Sequence, residues 1–171
     1  MKKTSLLPFL ASLALTAGLA LPLIAADTKT TDQVTVTFHE PESFTDVLEN
    51  GSSLTSTYYL EQLRECLLTA ATPLLEAGQK LVITITDIDL AGETRFNQPH
   101  QIRIMKDIYA PRSVLNFQLL GADGKVMKAG ERKLIDQNYM MQVRRPGSDQ
   151  PLYYDKQLLR SWLEDEFKGK I

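Results

Sequence analysis

Two carboxylates, Asp87 and Asp89, stand two residues apart at the end of an apolar run. Paired carboxylates can hold a metal ion, perform acid/base chemistry, bind a cationic group or terminate a strand. Side chains two apart on a regular strand point the same way. The pattern therefore predicts that both acids continue the apolar row of Leu81, Ile83 and Ile85, where they need donors, cations or water.

The helix-flanked calcium loop does not fit this pair. That loop needs oxygen ligands at positions 1, 3 and 5, glycine at position 6 and glutamate at position 12. Counting from Asp87 puts Asp89 at position 3 and Gly92 at position 6, but Ala91 at position 5 and Gln98 at position 12. A looser metal site could use Glu93 or His100, but nothing in the spacing calls for it. The sequence therefore predicts neither a metal site nor a cofactor.

Structural and binding roles remain for the two acids. An aspartate at a strand end can accept hydrogen bonds from the following turn, and "LAGE" with Gly92 supplies such a turn. Alternatively, the acids meet a guanidinium from Arg103 or Arg112. A ligand or partner site built from Asp87, Asp89, Arg103 and Arg112 is the functional interpretation. The structural roles are favoured, because half-buried carboxylates are usually paired rather than catalytic.

Nucleophilic catalysis has little support in the sequence. The two histidines are His39, on the polar side of an alternating run, and His100, in a loop, and there is no G-x-S-x-G elbow. Cys66 is the single cysteine and lies beside an apolar helical stripe, so we predict that it is buried and inert. The sequence therefore predicts no catalytic residue and favours a non-enzymatic protein.

The first half of the chain predicts a strand, a helix and a second strand. "QVTVTFHE" alternates apolar and polar residues, as a half-buried strand does. A helix follows, with its cap at Ser53, Thr55 or Ser56 and its end near Ala77. Pro73 should kink it or end its regular part early. The run from residue 80 to about 89 is the second strand.

The second half predicts three more strands and a closing helix. They are "QIRIMKDIY", a hairpin in "SVLNFQLLGADGKVMKAGERKLID" that turns at Asp123-Gly124, and an amphipathic helix over about residues 154–167. The order β-α-β-β-β-β-α predicts an α+β fold. We expect a mostly antiparallel sheet of about five strands, with two helices packed on one face and the other face partly open.

The N-terminus is typical of an export signal. Lys2 and Lys3 precede an apolar run over residues 6–24, and the small residues Ala25 and Ala26 follow. We therefore predict a signal peptide over residues 1–26, a single globular domain over residues 27–171 and a periplasmic location. An uncleaved membrane anchor is the alternative; after cleavage no membrane insertion is expected.

Charge narrows the choice of partner. The chain has 19 basic and 21 acidic residues, a formal net charge of −2, and no basic tract. Nucleic acids and anionic membranes reward clustered lysine and arginine, so neither is expected as a partner. The expected partner is therefore an unidentified protein or a component of the cell envelope.

Five segments carry a resemblance to a known family: "FTDV" (44–47), "TDIDLAGE" (86–93), "YAPR" (109–112), "DQNY" (136–139) and "YDKQLLRSWLEDEF" (154–167). On these the chain resembles domain of unknown function 3016, a family of secreted proteins of Gram-negative bacteria. The resemblance implies an export signal and one compact domain, and it brings no established reaction, cofactor or substrate.

Three functional hypotheses follow. The first is a non-enzymatic periplasmic module that binds a partner or envelope component through its open sheet face or through the end that carries Asp87 and Asp89. The second is a small metal-dependent or hydrolytic enzyme that uses this carboxylate pair. In the third, the two acids are purely architectural.

Overall fold

The computed structural model describes residues 27–48, 54–94, 103–141 and 149–168. The predicted signal peptide, the candidate cap Ser53 and the loop histidine His100 lie outside these residues. The strands are Asp27–Thr30 (β1), Val34–Phe38 (β2), Lys80–Asp89 (β3), Glu93–Thr94 (β4), Arg103–Ile104 (β5), Arg112–Leu120 (β6) and Val126–Ile135 (β7). The α-helices are Thr57–Ala71 (α1) and Tyr153–Leu163 (α2), and a π-helical turn, Glu164–Lys168, continues α2.

Five strands form one sheet in the order β1-β2-β3-β6-β7. β2 and β3 are parallel, since α1 makes the crossover between them, and the other neighbouring strands are antiparallel. The predicted α+β class with a mostly antiparallel sheet is therefore confirmed. β4 and β5 form a separate two-stranded sheet.

One strand was not predicted, and one predicted strand is wrong. Residues 27–30 form the edge strand β1, whose threonine hydroxyls contact those of β2, Thr28 with Thr37 at 2.9 Å and Thr30 with Thr35 at 3.2 Å. The run "QIRIMKDIY" does not join the main sheet. Among its described residues, 103–109, only Arg103–Ile104 are paired, with β4, because the chain then folds into a turn that the Tyr109 N–H closes on the Lys106 carbonyl at 2.9 Å.

The hydrophobic core lies between one face of the sheet and the two α-helices. The helices contact each other, and they contact β2 and β7. Alternate residues of the central strands supply the sheet side, such as Ile83 and Leu115, which are fully buried. Trp162 of α2 packs edge-on against Phe117 with ring centroids 5.8 Å apart. Burial of this apolar surface is the main stabilising term.

The limits of α1 follow from identifiable residues. The Ser56 hydroxyl accepts a hydrogen bond from the Tyr59 N–H at 3.3 Å, so Ser56 is the cap among the predicted candidates. The α-helix ends at Ala71 and a 3-10 turn with Pro73 follows, so the regular helix is shorter than the predicted end near Ala77. Cys66 is buried, as predicted, and burial raises the pKa of its thiol.

Left-handed backbone occurs at several described positions, among them Gly124 and Glu40. Gly124 in the β6–β7 hairpin has φ +77°, which confirms the predicted turn. Glu40, after β2, has φ +51° and an exposed side chain. A residue with a Cβ pays about 1 kcal/mol for that conformation.

The edge strand β7 carries cations on its core side. Lys128 and Arg132 lie over the ring of Phe117, at 5.9 and 5.1 Å from its centroid. Both pair with the carboxylate of Glu166, to which Arg132 donates from Nε and Nη2 at 2.8 and 3.0 Å. The Arg132 hydrogen bonds hold the pKa of Glu166 at about 2. Inward-facing charges of this kind discourage an edge strand from pairing with another chain.

The other side of the sheet carries polar side chains that no described helix covers. We name this surface the open face. Its central residues are Thr28, Thr30, Thr35, Thr37, Val82, Thr84, Asn116, Gln118, Ala129 and Glu131, and toward one end the same side of the sheet carries Arg112, Val114, Lys133 and Ile135. Within the described ranges, no helix is long and apolar enough to cross a membrane.

Candidate functional site

A β-bulge decides where the two acids of β3 point. The pairing of β3 with β6 shifts by one residue between Ile85 and Asp87, so Thr86 is an additional residue. After the bulge Ile88 is buried, whereas Asp87 and Asp89 are half-buried. The prediction that the acids continue the apolar row of β3 is therefore wrong, because one inserted residue exchanges the two faces. They do share a side, and it is the side of the open face.

Asp87 fastens a loop to the end of β3. Its carboxylate accepts hydrogen bonds from the Thr45 N–H at 2.7 Å and from the Thr45 hydroxyl at 3.0 Å. The predicted partner, the turn after the strand, is not used. Residues 45–47 instead lie alongside the strand end, where the Asp46 N–H donates to the Ile88 carbonyl at 2.9 Å.

Asp89 pairs with an arginine on the neighbouring strand. Arg112 lies opposite it on β6, and Nη1 is 3.5 Å from the Asp89 Oδ2. Partial burial raises the pKa of Asp89, and the positive charge of Arg112 opposes that shift. The predicted pairing with Arg112 is confirmed. Since Arg112 is about half exposed, the pair contributes at most about 1 kcal/mol to stability.

Arg103 pairs with an acid that the sequence analysis did not identify. Its Nη1 and Nη2 donate to the carboxylate of Asp46 at 2.9 and 3.1 Å, not to Asp87 or Asp89. Its Nη1 also lies within hydrogen-bonding distance of three backbone carbonyls, at 3.3 Å for residues 90 and 91 and 2.9 Å for residue 92. Arg103 thus joins the loop that contains Asp46 to the turn after β3.

The turn "LAGE" is held from several directions. The Ala91 N–H donates to a carboxylate oxygen of Asp155 at 2.9 Å, and the Gly92 N–H donates to the Tyr109 carbonyl at 2.9 Å. Gly92 has φ +82°, and a Cβ there would lie 2.8 Å from the carbonyl oxygen of Ile104. Buried backbone groups need such partners. The turn therefore has an architectural role of its own, which depends on backbone hydrogen bonds in addition to the side-chain contacts of Asp87 and Asp89.

Asp155 is the most strongly perturbed acid of this region. It lies in the first turn of α2 and is 7% exposed. Burial raises its pKa from 3.8 to about 6, although the Ala91 N–H and the charge of Arg103 oppose the shift. The sequence analysis missed this residue. Its signal was present, because Asp155 precedes the buried Leu159 by four residues and therefore shares its helix face.

A cavity of about 330 Å³ lies beside Asp155. We name it the tyrosine cavity, after the residues in its wall: Tyr59 of α1, Arg103 and Asp155, and Tyr153 and Tyr154 at the start of α2. Its volume is within the range of small-molecule sites, about 300–1,000 Å³. The Nε of Arg103 is buried there without a hydrogen-bond partner.

In the part of the chain that the structure describes, few side chains that could bind a metal or act as nucleophile and base lie close together. No three histidine, cysteine, aspartate or glutamate side chains there are close enough together to hold a metal ion. His39 is about half exposed, and its Nε2 is 4.0 Å from a carboxylate oxygen of Glu40.

Comparison with known proteins gives a family. The model of the family "Protein of unknown function (DUF3016)" matches residues 32–165. A crystal structure of a minor lipoprotein from Acinetobacter baumannii is similar at 10% sequence identity and a TM-score of 0.28, over 63% of this chain and 81% of that one. So low a TM-score carries no argument about function. No curated protein matches. The family match covers most of the chain and agrees with the motifs from "FTDV" to the closing helix, so the chain belongs to the DUF3016 family of proteins of unknown function.

Proposed function

We propose that this protein is an exported, non-enzymatic binding module that holds a polar component of the cell envelope on its open face. The observation that carries the proposal is a row of hydrogen-bonding side chains across all five strands: Thr28, Thr37, Thr84, Asn116 and Glu131. Neighbouring strands are about 4.8 Å apart, so these groups form a regular array.

The open face is also shaped to receive a partner. A shallow depression of about 450 Å³ lies over its central strands, and Val82, Asn116, Gln118 and Glu131 are among the residues of its wall. Most of the side chains on the face are uncharged hydroxyls and amides, which both donate and accept hydrogen bonds. They complement a partner that presents many hydroxyl and amide groups.

The charged residues at the end of β3 extend this surface. Because the bulge at Thr86 turns Asp87 and Asp89 outward, both acids and Arg112 lie at one end of the open face. We include them in the proposed binding surface as its charged rim. Arg103 is included as a positioning residue, since it acts through Asp46 on the loop that Asp87 holds.

Cell-wall glycan is the partner class that best fits this chemistry. Glycan strands present neutral hydroxyl and acetamido groups at short, regular intervals, and a periplasmic protein would meet them directly. A lipid surface would favour apolar or clustered cationic side chains. On the open face the apolar Val82 and Ala129 lie among polar side chains. The cations on the same side of the sheet, Lys133 and Arg112, lie beside acids, at 3.7 Å from Glu131 and 3.5 Å from Asp89.

Co-sedimentation with purified cell-wall sacculi tests the proposal. The test variant carries Asn116→Arg and Gln118→Arg, which place two bulky cations on exposed positions of the open face. The matched control carries Thr69→Arg and Ser161→Arg, exposed helix positions, so that both variants gain the same charge. We expect the parental protein and the control to pellet with sacculi and the test variant to stay in the supernatant.

Equal pelleting of the two variants would overturn the assignment of the open face. If no form pellets, but a periplasmic protein is captured by the parent and the control and released by the test variant, then the face is right and the glycan is wrong. Failure of both assays would remove the binding function.

The alternative, a metal-dependent or hydrolytic enzyme that uses Asp87 and Asp89, is favoured by one observation, the raised pKa of Asp89. A metal that binds only the folded state must raise the melting temperature. Thermal melts with and without millimolar calcium, magnesium or zinc therefore separate the two proposals. An increase that Asp87→Asn abolishes would favour the enzyme.

A further inference from the structure

The tyrosine cavity holds a buried acid without a partner cation. The carboxylate of Asp155 accepts hydrogen bonds from backbone N–H groups, that of Ala91 at 2.9 Å and its own, and no described lysine, arginine or histidine makes an ion pair with it. The nearest lysine on its own helix, Lys156, donates instead to the Gln62 side chain at 2.8 Å. Buried carboxylates are normally paired, because desolvation disfavours the charged form.

The arginine in the cavity wall acts on Asp155 through its charge but makes no ion pair with it. Both terminal nitrogens of Arg103 are used by Asp46 and by backbone carbonyls. Asp46 also balances the guanidinium charge, while Asp149 adds a further acid to the cavity wall. The cavity wall thus contains two acids, Asp149 and Asp155, and one arginine, whose charge Asp46 already balances.

Aromatic rings complete the wall. Tyr59, Tyr153 and Tyr154 all border the cavity, and the rings of the last two meet edge-on with centroids 5.3 Å apart. The face of an aromatic ring attracts a cation, and aromatic walls beside carboxylates are the usual setting for ammonium recognition. Leu152, which is 9% exposed, offers apolar surface for a carbon chain.

We propose that the tyrosine cavity binds a small organic cation, a primary amine whose ammonium group pairs with Asp155 while its carbon chain packs against the tyrosines and Leu152. This site shares only Arg103, a positioning residue, with the proposed surface on the open face, so it is a second binding function. A divalent metal ion fits less well, because calcium needs six or more oxygen ligands and magnesium an octahedral set. An anion is disfavoured, because the negative charge of Asp155 would repel it.

A titration followed by NMR tests this site on the purified protein, with n-butylammonium chloride as the probe and n-butanol as its neutral counterpart. The test variant is Asp155→Asn, which keeps an oxygen for the Ala91 N–H but removes the charge. Its control is Asp165→Asn, an exposed carboxylate on the same helical segment. We expect n-butylammonium to shift the tyrosine ring signals of the parent and the control saturably, and to bind Asp155→Asn at least about tenfold more weakly.

A second variant keeps the test decisive if Asp155→Asn does not fold. Tyr59→Leu retains apolar volume and removes one ring, and it should weaken binding of n-butylammonium about threefold to thirtyfold. The proposal is overturned if n-butylammonium does not bind the parent, if n-butanol binds equally well, or if a folded Asp155→Asn or Tyr59→Leu variant binds like the parent.

Discussion

Replacement of Asp155 by asparagine should change how stability depends on pH. The pKa of Asp155 rises from 3.8 to about 6 on folding, a shift of about two units, and burial is the main cause. Each unit corresponds to about 1.4 kcal/mol. The ionised carboxylate therefore costs the folded state about 3 kcal/mol, an amount that is large compared with a typical net stability of about 5–15 kcal/mol.

The direction in which stability changes with pH follows from proton binding to the folded and unfolded states. Between pH 4 and pH 6 the folded protein keeps the Asp155 proton while the unfolded chain has lost it, so this residue makes stability fall as pH rises through that window. Above about pH 6 both states are ionised and the cost stays constant. Asparagine has no such proton, so the stability of Asp155→Asn relative to the parent should rise by about 3 kcal/mol between pH 4 and pH 8.

Urea unfolding at pH 4, 5, 6, 7 and 8 measures this difference. Trp162 is the only tryptophan and is 5% exposed in the core, so its fluorescence reports unfolding. Any change of hydrogen bonding in the variant that does not depend on pH adds a constant and leaves the slope intact. Asp165→Asn controls for the loss of a surface carboxylate. A difference curve for Asp155→Asn that is flat to within about 0.5 kcal/mol would refute the reasoning.

Four further predictions concern other residues. Arg103→Lys should lower the free energy of unfolding by about 2–4 kcal/mol, because lysine cannot reproduce the forked contacts, whereas Arg112→Lys should change it by less than about 1 kcal/mol; denaturant melts compare the two. Glu166→Gln should cost about 1–3 kcal/mol at pH 7, and the cost should fall as the pH drops from about 4.5 toward 2, where the parental carboxylate also loses its charge. Glu40→Asn should raise stability by about 0.5–1 kcal/mol, because asparagine tolerates positive φ, and a lower melting temperature would contradict this. Export should yield a periplasmic protein that begins after Ala25 or Ala26, which mass spectrometry of the released protein can establish.

The fold class was predictable from the sequence because its signals are local. Alternation over residues 34–38 and 80–85 and the helical periodicity around Leu67 identify elements without knowledge of their partners. The edge strand β1 was missed since its four residues are polar and too few to show a period. The run "QIRIMKDIY" alternates like a strand, but whether such a run joins a sheet depends on contacts far along the chain.

The sequence contains a signal for the bulge at Thr86. The prediction did not use it, because it assumed that the strand alternates regularly to its end. Apart from Val82, the apolar positions of β3 are odd up to Ile85, and the next one is Ile88, so the spacing changes from two residues to three between these isoleucines. A single inserted residue produces that change of phase. The contact of Arg103 with Asp46 had no such signal, because the two residues are 57 positions apart and the family segment "FTDV", which contains Asp46, does not indicate a partner.

The structural and functional roles of Asp155 can be separated. Holding the Ala91 N–H requires only an oxygen, which asparagine also supplies, whereas the charge of the aspartate costs about 3 kcal/mol at neutral pH. A bound ammonium would offset that cost, because it supplies the missing counter-charge at the buried site. If the cavity binds a cation, n-butylammonium must raise the melting temperature of the parent more at pH 7.5 than at pH 5, and it must leave that of Asp155→Asn nearly unchanged. Equal shifts at both pH values would mean that the probe binds without using the charge, and Asp155 would then be an architectural residue alone.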